Sequence, residues 1–282
     1  MGEPVTEARA SIDQLAARIG DADLSARPAQ GDRDPRDGRL GELGHWLSGL
    51  LTGEPTRIRL LLLGEPSEAV LQAAESADVA VHPLPLPDAQ LSTAIAAGAA
   101  AADAAVDAGV DLVLLAAPAD ELPAAATIGA LTAAEPVALL PRGAAAVDTA
   151  HWIAGATYLR DIRRRIVGLR ERPDELLATL GSPTLAAATA VALAAAARRT
   201  PVVLDGLSAV AGALLGAQSH PRARRWWLVA DSSPDPAHRR AVAELDATPV
   251  LDFDTARGDG LAAVLGVPLL RAATRLQPAA LT

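Results

Sequence analysis

The tripeptide Gly258-Asp259-Gly260 has the make-up of a reacting site. Flanking glycines let a ligand approach the backbone, and a carboxylate between them can take a proton from a ring nitrogen. The same residues also read as a helix start, with Asp satisfying free N–H groups. Asp231-Ser232-Ser233 reads equally as an anion-binding nest or as a cap. Asp205-Gly206 reads as a strand-to-helix turn capped by its aspartate. The histidines His45, His82, His151, His220 and His238 show no metal-pair spacing, so no metal site is expected. The chain has no Cys and no Lys. Thiol catalysis, disulfides, Schiff-base chemistry and a P-loop lysine are therefore excluded. GxSxG and GxGxxG are absent as well, and no cofactor is expected.

Composition narrows the class further. The 282 residues allow one large domain with an appendage, and half of them are hydrophobic. Aromatics are confined to Trp46, Trp152, Trp226, Trp227, Tyr158 and Phe253. The core must therefore be packed from Ala, Leu and Val. A net charge of −9 and scarce aromatics argue against a nucleic-acid partner. The arginines at 160, 163, 164, 165, 170 and 172 read as a solvated helix face. Residues 1–20 lack the basic start and apolar run of a signal peptide. The Ala-rich stretch 92–106 is interrupted by Asp103 and reads as a buried helix. No membrane partner and a cytoplasmic location are the expectations.

The elements that must position these residues alternate along the chain. Apolar runs of strand length stand at 57–63, 78–82, 111–116, 136–140, 201–204, 226–230 and 248–251. Helical patterns fall at 4–20, 39–51, 66–76, 88–108, 122–132, 148–171, 183–198, 206–217, 235–245 and 259–276. Residues 21–38 are polar and rich in Asp, Arg, Pro and Gly, the composition of a flexible loop. Continuous apolar strands separated by helices imply a parallel sheet covered on both faces, an α/β fold. Ligands of such sheets bind beyond the carboxyl ends of the strands. That is where 118–121, 141–144, 205–206, 231–233 and 258–260 fall.

The runs TPVVLDGLSAVAGALL (200–215), ARRWWLVADSSPDPAH (223–238) and TPVLDFDTARGDGLAAVLGVPLLRAA (248–273) resemble, in order and spacing, the nicotinate-nucleotide:dimethylbenzimidazole phosphoribosyltransferases. AAADAAVDAGVDLVLLA (100–116), DTAHW (148–152) and GRLGEL (38–43) agree with that family as well. The resemblance implies a Rossmann-like parallel sheet plus a small helical subdomain from the termini. It divides the chain at 1–52, 53–256 and 257–282. The implied reaction moves phosphoribose from nicotinate mononucleotide to dimethylbenzimidazole. A family glutamate in Gly-Glu-Gly serves the attacking base, and backbone amides with a lysine hold the phosphate.

Carried over residue by residue, the framework matches and the ligand loops do not. Gly-Glu-Gly falls on Gly258-Asp259-Gly260, which makes Asp259 the expected base and shortens it by one methylene. The Asp-His-Gly motif is gone, with Gly64-Glu65 near its place. The chain is shorter between the first two strands and again near 83–88. The phosphate loop becomes Leu140-Pro141-Arg142-Gly143-Ala144, and the family lysine aligns with Gly155. Arg142 and Gly143 are its expected substitutes, since Arg forks onto phosphate. The acidic loop becomes Ala117-Pro118-Ala119-Asp120-Glu121-Leu122, with Asp120 and Glu121 as candidate acids. Gly-His before the Ser motif becomes Ala230-Asp231, which leaves Ser232 and Ser233 as candidate ligand contacts. Such replacement implies a member with weak or lost catalysis and a partner or regulatory role, as a homodimer or a heterodimer with an active homologue. The alternative is an active phosphoribosyltransferase with a rebuilt site around Asp259. A third reading is a binding protein for a small nucleotide or base.

Overall fold

A computed structural model describes residues 11–20, 35–86, 90–141 and 149–276. Its centre is a parallel sheet of β1 (Ile58–Leu62), β2 (Val79–Pro83), β3 (Leu112–Ala116), β4 (Val202–Asp205) and β5 (Trp227–Val229), in the order β2-β1-β3-β4-β5. Strand residues point alternately to two apolar cores. Leu61, Val113, Leu115, Val202 and Leu204 face one, whereas Leu60, Leu62, Leu112, Leu114 and Val203 face the other. Burial on both sides explains why the strands read as unbroken apolar runs. The expected α/β class with helices on both faces is the observed one.

The larger core lies under α1 (Ile12–Ala16), α4 (Leu91–Asp107), α5 (Glu121–Thr132), α6 (Thr149–Ile166), α7 (Pro173–Leu180), α8 (Pro183–Ala197), α9 (Leu207–Ser219) and α10 (Pro236–Glu244). The smaller lies under α2 (Gly38–Ser48), α3 (Glu68–Ser76) and α11 (Leu261–Arg275). α2 packs on α11, while α1 packs on α8, so the two N-terminal helices lie on opposite faces of the sheet. α8 is apolar around its whole circumference and is enclosed between α4 and α9, as such a helix must be. Ser182 caps it by accepting from Leu185 N at 3.0 Å, and Pro183 begins its first turn.

Small residues let these helices approach. A Cβ on Gly98 of α4 would lie 2.5 Å from the Ala187 carbonyl oxygen of α8. Gly98→Ala is therefore expected to lose about 1–3 kcal/mol despite alanine's better helix propensity, the usual range for overpacking. A urea midpoint equal to wild type would show that α4 and α8 are not in contact there.

Three elements differ from the sequence expectation. Residues 136–140 do not form a strand: Pro136–Ala138 is a 3-10 turn, and Leu139 and Leu140 are buried beside α6. Prolines at 136 and 141 remove ladder donors at both ends of that run. Residues 248–251 make only a parallel bridge, Asp231 to Leu251, with Val250 N and Leu251 N donating to Val229 O and Ala230 O. Pro249 has no N–H to extend that edge. Conversely, α7 lies in a stretch read as connection. Its signals are ordinary ones: Pro173 at the first turn, Asp174 and Glu175 following, and Gly181 at φ 64° after its last residue. The expected loop 21–38 lies outside the described residues up to 34; Pro35–Asp37 is a 3-10 turn leading into α2.

Candidate functional site

β1 leads through α3 on one face of the sheet, while β3 leads through α5 to α8 on the other. In such sheets a crevice opens at the carboxyl ends beside this reversal. The cleft that is found opens at the carboxyl ends of β3, β4 and β5, to one side of that reversal. Its wall carries Glu121, Asp205, Ser208, Asp231, Ser233, Asp235, His238, Thr255 and Arg257.

β4 ends in Asp205, which is 4 % exposed. Its Oδ2 accepts from Ala263 N at 3.0 Å, so it caps α11 rather than its own following helix. Burial pushes its carboxyl up to about 6, against the lowering effect of the Ala263 N–H; the charges of Asp259 and Asp231 add to the rise. Gly206 follows at φ 88°, ψ 166°, a conformation essentially reserved for glycine. There the β4 turn crosses the loop before α11, and a Cβ on Gly206 would sit 2.4 Å from Gly258 Cα. Gly260, at φ 96°, backs onto Leu60, whose Cδ2 would lie 2.8 Å from an added Cβ. The glycines around Asp259 thus have packing reasons to be glycine.

The loop after β5 is held by side-chain acceptors. Asp231 accepts from Phe253 N at 2.8 Å, from Thr255 N at 3.0 Å and from the Thr255 hydroxyl at 2.7 Å. Ser232 accepts from Asp254 N, and Ser233 from Asp235 N. This segment therefore ties two loops together through oxygens, the opposite polarity to an anion nest. Asp235 caps α10 by accepting from His238 N at 3.0 Å, and burial raises its carboxyl. His238 is 3 % exposed, and burial lowers its imidazole to about 4, so it is neutral at pH 7. Its Nδ1 is buried without a hydrogen-bond partner among the described residues.

Of the expected site residues, Glu121, Ser233 and Gly258 line the cleft. Asp259 flanks it: Arg257 donates to Oδ2 at 2.6 Å, and Leu261 N donates to Oδ1 at 3.3 Å. Asp120, at φ 65° before α5, accepts from the Ser182 hydroxyl at 2.6 Å. Ser232 is bound to the 254 backbone, and Gly260 is packed on Leu60. Arg142 and Gly143 lie outside the described residues. Sequence reading missed Asp235 and His238. Asp235-Pro236 before an amphipathic run is a readable helix start, but nothing local marks His238 as buried.

Glu121, Leu207 and Asp235 also border a second, apolar pocket with Leu122, Ala125, Leu139, Leu140, Trp152 and Gly155. Partial desolvation raises the Glu121 carboxyl, and the charge of Asp235 adds to it, while His151 acts the other way. The described lining thus offers acceptors far more than donors. Among the described residues no group of three or more His, Cys, Asp or Glu is arranged to hold a metal ion. No described helix is long and apolar enough to cross a membrane.

Comparison with known proteins agrees with this fold. Residues 72–281 match a family model described as Phosphoribosyltransferase. The nicotinate-nucleotide–dimethylbenzimidazole phosphoribosyltransferase of Corynebacterium efficiens is 39% identical over 175 residues, 60% of this chain and 46% of that protein. The enzyme of the same name from Mycobacterium ulcerans is 39% identical over 200 residues, covering 70% of this chain and 55% of its own length. The chain thus spans about half the length of these curated relatives. The crystal structure of CobT from Thermus thermophilus superposes with a TM-score of 0.72 at 25% identity, covering 94% of this chain and 95% of that one. Matched over most of its length in both sequence and fold, the chain belongs to the nicotinate-nucleotide–dimethylbenzimidazole phosphoribosyltransferase family.

Proposed function

We propose that this family member has weak or lost phosphoribosyl transfer and acts in the cytoplasm as a partner or regulatory subunit, as a homodimer or beside an active homologue. The observation that supports the reading is the charge of the strand-end cleft. A nucleotide phosphate needs backbone N–H donors and cations. The described wall instead carries Glu121, Asp205, Asp231 and Asp235. Its guanidinium, Arg257, is already paired with Asp259 at 2.6 Å. Asp259, the residue in the family glutamate's place, has both oxygens engaged by Arg257 and Leu261.

The test is turnover. Purified protein incubated with nicotinate mononucleotide and dimethylbenzimidazole is expected to give no α-ribazole phosphate by mass spectrometry, with Asp259→Ala indistinguishable from wild type. Product that vanishes in Asp259→Ala would overturn the proposal and establish a site rebuilt around that carboxylate. Co-purification with a full-length homologue tests the heterodimer, and recovery of the chain alone would remove it.

A further inference from the structure

We infer that the open groove between α6 and the 3-10 turn at Pro136–Ala138 docks a short amphipathic helix of a partner protein, apolar at one end of its contact face and acidic at the other. The groove shares no residue with the strand-end cleft. It gives the partner role proposed above a surface, and rests on that role rather than on the loss of phosphoribosyl transfer. Shape, apolar exposure and charge carry it.

The groove encloses about 1000 Å3 outside the protein atoms, open mouth included. Pro136 and Val137 form one wall. The other is a single face of α6, on which Ile153, Thr157, Arg160 and Arg164 recur at helical spacing. From Ile153 to Arg164 that face runs roughly 16 Å at 1.5 Å per residue, the length of about three helical turns. A trough between two elements takes a rod, whereas a bilayer can only rest across its rims.

The N-terminal half of the α6 wall is apolar. Ile153 is 54 % exposed, and Val137 across the groove is 43 % exposed. Trp152 and Ala156 beside them are half-buried. The outward face of a surface helix is ordinarily polar. Leu159, Ile162 and Ile166 already anchor α6 in the core, so Ile153 is not needed to hold the helix. Its exposure leaves apolar surface that a partner's side chains can take out of water.

The C-terminal half is cationic. Arg160, Arg163 and Arg164 share the lining with one carboxylate, Glu135. Arg163 donates to both Glu135 oxygens, at 2.5 and 3.0 Å, and so ties α6 to the turn. Arg160 is paired with Asp161, and Arg164 forms no ion pair among the described residues. The groove thus carries excess positive charge on a chain whose net charge is −9. These arginines also suit the negative end of the α6 dipole, but that role needs no apolar trough beside them. A docked helix with leucines against Ile153 and glutamates against Arg164 meets both halves.

The experiment uses the full chain and labelled helical peptides of about fourteen residues, roughly four turns. One carries a leucine face ending in a Glu-rich turn, one has Lys in place of Glu, and one has the leucine spacing scrambled. By fluorescence anisotropy the Glu peptide is expected to bind about tenfold more tightly than either control, and less tightly as salt rises. Ile153→Asp and Arg164→Glu stand at exposed positions, and their urea midpoints should match wild type. Each is expected to weaken the Glu peptide by about tenfold, and Arg164→Glu should bind the Lys peptide better than wild type does. Equal binding of the Glu peptide and either control, or wild-type affinity in both variants, would overturn the inference. Pelleting with phosphatidylglycerol vesicles that both variants lose, without peptide binding, would overturn it in favour of a membrane. A dimer by sedimentation velocity that Ile153→Asp dissolves would overturn it in favour of a second copy. A homologue that co-purifies equally with wild type and both variants would keep the partner role and overturn only this groove, and the turnover assay reads transfer separately.

Discussion

Gly206→Ala is expected to lose about 2–6 kcal/mol, read as a lower urea midpoint with an unchanged slope. The figure combines the cost of a backbone conformation reserved for glycine, about 1–3 kcal/mol, with overpacking, about 1–3 kcal/mol. Both causes act at this position. The backbone stands at φ 88°, ψ 166°, and the added methyl carbon would meet Gly258 Cα at 2.4 Å and its carbonyl oxygen at 3.3 Å. Both near atoms are backbone, so relief requires the turn after β4 and the loop before α11 to separate. Gly168→Ala isolates the first cause: φ is 83° and nothing lies within 4 Å of the added carbon. It should lose about 1 kcal/mol. Equal losses at 206 and 168 would mean that the two loops do not touch. Because a stability of about 5–15 kcal/mol is usual for a domain, the Gly206 variant also tests whether the site's wall and the fold are one unit.

The sheet was legible because burial on both faces leaves a strand no polar positions. Leu112, Val113, Leu114, Leu115 and Ala116 are all fully buried, and such a run admits few other readings. Run length alone misled at 136–140, where Leu139 and Leu140 fill space beside α6 and Val137 stays exposed instead of joining a ladder. The prolines at 136 and 141 were the available warning. At the site, the strand-end rule located the cleft, but it could not say which way side chains turn. Asp205, Asp231, Asp235 and Asp259 all look alike as aspartates before helices or after strands. One caps α11 from another element, one ties two loops, one caps its own helix and one pairs with Arg257. The first two roles depend on partners 58 and 22 residues away, which no local pattern encodes, whereas the last two are met within three residues. His238 is the clearest case, since its burial follows from the packing of α10 on α5 and α9.

Asp205→Asn is expected to stabilise the protein at pH 7.5 and to be without effect at pH 3.5. The wild-type carboxyl stands at about 6 in the folded chain against an ordinary 3.8, with burial the leading cause. Between those values the folded state holds a proton that the unfolded state has released. Stability contributed by this group is therefore complete below pH 3.8 and falls as pH rises through 6. A difference of about two pKa units corresponds to roughly 3 kcal/mol. The asparagine keeps an oxygen for Ala263 N, bonded at 3.0 Å in the wild type, and removes the buried charge. Subtracting the variant's urea stability from the wild type's at each pH cancels the other carboxylates, so the difference should grow from near zero at pH 3.5 to about 1–3 kcal/mol at pH 7.5, below the full linkage value because the charge also favours the α11 N-terminus. A variant less stable than wild type at pH 7.5 would mean that the carboxylate's bonds to the N-terminus of α11 outweigh its desolvation. The expected gain instead makes Asp205 a costly residue kept at the one turn where β4, α11 and the Gly258–Gly260 loop meet.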